Sequence, residues 1–309
     1  MWKFWIIGVL AVIVVGVAIA YALADRETMT AEEFRAGSGY ETVALTTGVT
    51  AYKDMGPKDA APLVIVHGAT LGSVAYEAYY QPFLDAGYRV IAYDQYGRGF
   101  SDRPDAELSV ELMHTQLLGL LDHLEIENAA LYGVSFGGAV IARFAAAHPN
   151  RVTGLGFQVP LIESPRSGLL QLASLPLIKP LVGRMVLVPA IIDRGESFGV
   201  ETEEQRRVVD HFKTQFEVQG TQRLLMSMLT GDAMSSRLDD HATIAAANIP
   251  TQFVYATDDP EISPTSVQAA ISNYEAADVH TYTGGHFFSA TKQDELAGKL
   301  SAFFKANGI

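Results

Sequence analysis

Apolar positions in this chain fall into two regimes. From Phe4 to Ala24 the run FWIIGVLAVIVVGVAIAYALA contains no charge, and 21 helical residues at ~1.5 Å each span the ~30 Å hydrocarbon core of a bilayer. The pattern predicts a membrane-crossing helix over residues 1–24. A cleaved signal is the alternative, with Ala22-Leu23-Ala24 before Asp25 as its processing site. The length favours a retained anchor, because the apolar part of a signal usually runs only about 7–15 residues. Lys3 precedes the span, which leaves the N-terminus in the cytoplasm and the rest of the chain outside it, in the periplasm of a bacterium. If the segment is cleaved, the rest is secreted.

After a polar, glycine-containing stretch at 25–40, expected as a linker, the second regime begins and runs from 41 to 309. The segments ETVALTT and VTAYKDM around Gly48 read as a hairpin, and PLVIVHG is a short continuous apolar run of the kind buried on both faces of a sheet. Helical and extended patterns then alternate: YEAYYQPFLDAG, YRVIAYD, SVELMHTQLLGLLDHLEI, NAALYGV, FGGAVIARFAAAHP and RVTGLGFQV. From about Pro160 to about Asp240 the alternation stops, and it resumes with PTQFVYA, SPTSVQAAISNYE, DVHTYTG and DELAGKLSAFFKAN. This predicts an α/β fold with a mostly parallel sheet flanked by helices. An interruption of that length is expected to be a helical lid, at about 160–240. Its apolar part, GLLQLASLPLIKPLVGRMVLVPAII, is expected to face the sheet more than a membrane.

Composition narrows the chemistry. A net charge of −13 without a basic run removes the electrostatic attraction that brings proteins onto nucleic acid. The absence of cysteine removes disulfides, thiolate metal sites and a cysteine nucleophile together. No pair of the eight histidines has a recognised metal-ligand spacing, so neither a metal nor a cofactor is expected. His114, His123, His148, His211, His241 and His280 lie in no motif.

The segment YGVSFGG places Ser135 between a strand and a helix at a Gly-x-Ser-x-Gly spacing. There the chain must turn sharply, exposing a serine hydroxyl above the sheet. A hydroxyl is a weak nucleophile until a base takes its proton and a third group orients that base. His286, in TGGHFF after the last strand, and the pair Asp258-Asp259, which ends the preceding strand, supply those groups in chain order.

Together GVSFGG, VIVHGAT, YDQYGRGFSDRP, ATDDPEISP and GGHFF resemble the α/β-hydrolase fold superfamily from about Glu41 to the C-terminus. Within it the chain is similar to lid-bearing serine esterases and monoacylglycerol-lipase-like enzymes with an N-terminal anchor. The resemblance implies a triad of Ser135, Asp259 and His286, with Asp259 preferred over Asp258 because the acid falls three residues after a position that here holds Ala256. That position is usually glycine in the superfamily. The resemblance also implies an oxyanion hole made by the backbone N–H groups of Ala69 and Phe136. His67, Asp94, Gly97, Arg98, Gly99 and Ser101 are expected to shape loops. The expected activity is hydrolysis of carboxylic esters, such as monoacylglycerols or short to medium acyl esters, at the membrane. Hydrolysis of carbon–carbon bonds in ring-cleavage products on the same triad is one rival, and a non-catalytic binding protein is another.

Overall fold

The computed structural model describes residues 2–164, 168–176, 178–196 and 202–309, so parts of the expected lid, at 165–167, 177 and 197–201, lie outside the described residues. The uncharged N-terminal run makes up all but the first two residues of α1 (Trp2–Leu23), the one helix among the described residues long and apolar enough to cross a membrane. Only Ala20 and Tyr21 within it are even partly covered by the rest of the protein.

Residues 25–40, expected as a linker, do not swing free. They contain α2 (Ala31–Arg35), opened by a capping box: Thr30 Oγ1 accepts from the Glu33 N–H at 3.1 Å, and the Glu33 carboxylate accepts from the Thr30 N–H at 2.7 Å. The N–H groups of Thr28 and Met29 donate to the Glu217 carbonyl at 2.8 and 3.0 Å, and Arg35 binds the Phe100 carbonyl and the Asp102 carboxylate. Polar composition concealed this, because the partners lie far along the chain.

Eight strands follow: β1 (Glu41–Ala44), β2 (Val49–Met55), β3 (Pro62–Val66), β4 (Arg89–Tyr93), β5 (Ala129–Val134), β6 (Val152–Gln158), β7 (Thr251–Ala256) and β8 (Asp278–Tyr282). Their order in the sheet is β1-β2-β4-β3-β5-β6-β7-β8. The β1–β2 hairpin is antiparallel, and β2 runs antiparallel to β4, while β3 to β8 are parallel to one another. The connecting helices are α3 (Tyr80–Asp85), α4 (Val110–His123), α5 (Phe136–Ala147), α6 (Gly168–Ala173), α7 (Lys179–Val182), α8 (Val188–Glu196), α9 (Glu203–Thr214), α10 (Thr221–Thr230), α11 (Leu238–Ala246), α12 (Pro264–Ile271) and α13 (Gln293–Ala306).

Strand alternation sorts the apolar residues into two layers, since successive side chains point to opposite faces. Val64, Val66, Ile91 and Leu131 pack with Leu117, Leu120, Val140 and Phe144 of α4 and α5. Leu63, Ile65, Val90 and Ala130 pack on the other face with Phe83, Leu300 and Phe304. Covered on both sides, β4, β5 and β7 are buried along their whole length, down to the polar Arg89, Thr251 and Gln252 at the starts of β4 and β7. Helix α5 crosses β3 so closely that a Cβ on Gly137 would fall 2.1 Å from the Val66 carbonyl oxygen, so only glycine fits there.

Helices α6 to α11 occupy the interval between β6 and β7. The apolar stretch expected to face the sheet divides instead. Ala173, Val188 and Ile192 are buried, whereas Leu175, Met185 and Val186 are 49%, 38% and 49% exposed. Apolar residues occur all round this helical segment, so one face turns inward and another is left outside.

Candidate active site

All parallel strands end on the same edge, and Ser135 stands there between β5 and α5. Its backbone has φ +53° and ψ −118°, a region that a side chain with a Cβ rarely adopts. Three bonds hold it in place. Its N–H donates to the Gln158 carbonyl at 2.9 Å, and its carbonyl accepts from the N–H groups of Gly138 and Leu161, both at 2.9 Å. The turn lifts Oγ out of the sheet, where it meets the His286 ring.

Nε2 of His286 lies 3.2 Å from Ser135 Oγ, and its Nδ1 lies 2.8 Å from Oδ2 of Asp259. The His286 and Asp259 side chains are 8% and 2% exposed, so little water competes for these bonds. Oδ1 of Asp259 accepts from the N–H groups of Glu261 and Ile262 at 2.8 and 3.0 Å. Burial pushes this carboxyl's pKa up, but the bond to His286 and these backbone donors outweigh it and leave the value below the ordinary one. Asp258 points elsewhere. Its carboxylate accepts from the N–H groups of Gly285, at 3.0 Å, and Gly284, at 3.0 and 3.1 Å, and these donors lower its pKa. Both glycines have positive φ, so Asp258 braces the left-handed turn that delivers His286.

The His67–Gly68–Ala69 turn lies against the serine: a Cβ on Gly68 would stand 3.4 Å from Ser135 Cβ. Ala69 and Phe136 line one small cavity beside it. The Phe136 N–H is the first of α5 and, like that of Ala69, donates no hydrogen bond among the described residues. This turn is fixed by His67 and Arg98, both expected to shape loops, together with Gln95, Tyr76 and Gln215, which nothing in the sequence singled out. The Gln95 N–H donates to His67 Nε2 at 2.8 Å, which leaves Nδ1 to carry the proton and donate to the Gly68 carbonyl at 2.7 Å. Burial brings the His67 pKa down to about 4, so the ring is neutral. Tyr76 Oη accepts from the Gly68 N–H at 3.2 Å, Arg98 Nε donates to the Ala69 carbonyl, and Gln215 Nε2 donates to the Thr70 carbonyl at 2.6 Å.

The loop after β4 closes around buried Asp94. Its Oδ1 accepts from the Ser73 N–H and hydroxyl at 2.7 and 2.8 Å, and its Oδ2 accepts from the Phe100 N–H at 2.8 Å. Gly99, at φ +47°, leaves space for it, since a Cβ there would fall 2.1 Å from Oδ2. These residues hold loops and do not reach Ser135. The histidines outside any motif lie elsewhere: His114 and His148 meet through their Nε2 atoms at 3.1 Å, and His241 is buried against Phe157 and Phe253. Among the described residues no cluster of three or more histidine or carboxylate side chains could hold a metal.

A parallel sheet ending in this arrangement has known counterparts, and the model of the "Alpha/beta hydrolase family" matches residues 63–299. The chain belongs to that family. A non-heme chloroperoxidase of Streptomyces lividans is 38% identical over 102 residues, 33% of this chain and 37% of that protein. A 2-hydroxymuconate semialdehyde hydrolase of Pseudomonas sp. (strain CF600) is 41% identical over 111 residues, 33% of this chain and 39% of that protein. The chain thus spans less than two fifths of the length of these curated relatives. Among solved structures, a thermophilic esterase from Thermogutta terrifontis superposes with a TM-score of 0.71 at 18% identity, covering 88% of this chain and all of that one. At that identity the likeness concerns the fold.

Proposed function

We propose that this α/β hydrolase cleaves carboxylic esters through an acyl-enzyme on Ser135. The observation that carries the reading is the unbroken relay from Ser135 Oγ through His286 to Asp259, at 3.2 and 2.8 Å. Ser135 Oγ attacks the acyl carbonyl carbon, and His286 Nε2 takes the hydroxyl proton. The oxyanion accepts hydrogen bonds from the Ala69 and Phe136 N–H groups, which no acceptor among the described residues occupies. His286 then gives its proton to the departing alkoxide, which leaves as the alcohol. Water, deprotonated by the same ring, attacks the acyl carbon and releases the acid. Asp259 holds the ring in its Nδ1–H tautomer and stabilises the imidazolium. The arrangement requires no cofactor.

In this reading α1 is a membrane anchor and helices α6 to α10 are a lid, which together fit esters with apolar acyl chains, monoacylglycerols or short to medium acyl esters. Lys3, in the first turn of α1 and ahead of its uncharged run, supports a catalytic domain on the non-cytoplasmic side. One similarity favours a second reaction on the same residues: the hydrolase of 2-hydroxymuconate semialdehyde, named for a ring-cleavage product, is 41% identical over its matched part.

A fluorophosphonate should label the protein once, on Ser135, and leave Ser135→Ala unlabelled while that variant keeps its melting temperature. Normal turnover by folded Ser135→Ala would sink the acyl-enzyme. Assaying p-nitrophenyl esters of graded chain length beside a dienoic diketone acid separates the two reactions, since turnover of the acid alone would select carbon–carbon cleavage.

A further inference from the structure

Among the described residues, Arg184 of the lid meets the end of α1. The Arg184 guanidinium lies 4.2 Å from the centre of the Tyr21 ring and bonds the Asp25 carboxylate at 2.9 Å. Tyr21 is in the last turn of the apolar span, at the depth where aromatic rings collect in membrane proteins, and Asp25 is the first charge beyond it. An arginine that bridges the two stands at the membrane boundary. It belongs to the helical segment formed by α7, a wide turn over Gly183–Leu187, and α8.

Beside Arg184 in that segment, Met185 and Val186 are 38% and 49% exposed, and Leu175, just before it, is 49% exposed. They are the only large apolar residues exposed outside α1 apart from Val279 and Phe287, among the described residues. Between Leu175 and Ala190 the sequence carries two charges, Lys179 and Arg184, both positive, in a chain of net charge −13. Apolar side chains interleaved with cations suit a helix lying in the interfacial plane of a bilayer. The lid also leaves the sheet from the end of β6, whose Gln158 carbonyl accepts the Ser135 N–H, so this face belongs to the edge that carries the serine.

We propose that the lid face of Leu175, Met185 and Val186 lies in the headgroup boundary of the bilayer that α1 crosses, and that the site draws its ester from that bilayer. The inference rests on the reading of α1 as an anchor. It adds a second, independent membrane contact and names the substrate class as acyl esters of lipids. The docking of 25–35 onto the Glu217 carbonyl and the Phe100–Asp102 loop fixes the lid's orientation towards the membrane.

The sequence allows a clean test, because it contains no cysteine and its two tryptophans, Trp2 and Trp5, both lie in α1. Full-length Leu175→Cys, Met185→Cys and Val186→Cys, each labelled with a polarity-sensitive fluorophore, are reconstituted in phosphatidylcholine vesicles carrying a nitroxide high on the acyl chain. Lys305→Cys is the control: the neighbouring Phe304 packs on Gly154 at the start of β6, at the opposite edge of the sheet. The three lid labels should shift to the blue and be quenched, while the Lys305→Cys label should not. Tryptophan quenching reports on the anchor separately. Quenched tryptophans with unquenched lid labels would overturn the lid contact and leave the anchor standing. Quenched lid labels with unquenched tryptophans would retain the lid contact and overturn the anchor, and two negative results would overturn both. The double variant Met185→Glu, Val186→Glu should turn over a monoacyl ester embedded in vesicles about tenfold more slowly and hydrolyse a water-soluble short-chain ester at the unaltered rate. Equal rates of the variant and the natural chain on the embedded ester would overturn the claim that the site draws substrate from the bilayer.

Discussion

Asp258 and Asp259 are adjacent, equally acidic by type, and differ in what reaches their oxygens. Asp259 receives the His286 ring and two backbone donors, and Asp258 receives the amides of Gly284 and Gly285 one loop away. Replacing Asp259 by asparagine leaves the shape intact but puts an amide against His286 Nδ1, which favours the wrong tautomer. In a serine protease the corresponding change costs roughly 10⁴ in kcat, and a loss of that order is expected for Asp259→Asn. Asp258→Asn loses only charge assistance to the exposed N–H groups of Gly284 and Gly285 and should lower kcat by about tenfold at most. Measuring kcat for both variants, with circular dichroism to confirm folding, decides the matter. A larger loss from Asp258→Asn would move the orienting role to Asp258.

At the level of elements, the connection between the N-terminal segment and the lid carries the most consequence. The N-cap of helix α10 is Gly220, which has no side chain with which to cap it. Glu27 performs that task from the other end of the chain, its carboxylate accepting from the N–H groups of Gly220 and Gln222 at 3.1 and 2.7 Å. A carboxylate at a helix N-terminus satisfies orphan donors and meets the positive end of the helix dipole. Glu27→Ala should therefore cost about 1 kcal/mol and raise hydrogen exchange in α10 and in residues 25–35 while leaving β3 to β7 protected. Exchange unchanged in α10 would show that packing alone holds it. The same contact marks the limit of what the sequence discloses. Strands buried on both faces announce themselves as runs such as PLVIV, and GVSFGG and GGHFF carry their turns in consecutive residues, because those constraints are local. Glu27 and Gln215 belong to no period or motif, and nothing in YDQYGRGFSDRP marks Gln95 as the partner of His67. Each acts on backbone groups brought near only by the finished fold, so a polar stretch such as 25–40 reads as a free linker when it is a docked strap.

For the molecule as a whole, the cost of its neutral interior histidines falls due in acid. Burial brings the pKa of His67 down to about 4 and that of His241 down to about 3, and it lowers those of His114 and His211 as well. An imidazole in the unfolded chain takes its proton near ~6.5. Above that value neither state is protonated, and the full stability is present. Between it and the folded value, the unfolded chain binds more protons, so stability falls as the pH drops, by about 1.4 kcal/mol per unit for each such group. For His67 and His241 together the loss from pH 7 to pH 5 amounts to about 4 kcal/mol, a large part of the roughly 5–15 kcal/mol that holds a typical domain folded. Asp259 adds to this only in stronger acid, because its lowered pKa yields stability that is lost as the pH falls below the ordinary carboxylate range. The urea midpoint should therefore drop steeply between pH 7 and pH 5. His241→Phe separates this cause from the carboxylates: the site is lined by Phe157, Phe253 and Tyr274 and accepts an aromatic ring, at the cost of the 2.8 Å bond between His241 Nδ1 and the Tyr274 hydroxyl. The variant should start less stable at pH 7 and lose less on acidification, by about 2 kcal/mol. A midpoint that falls equally in both proteins would mean that His241 already carries its proton in the folded state.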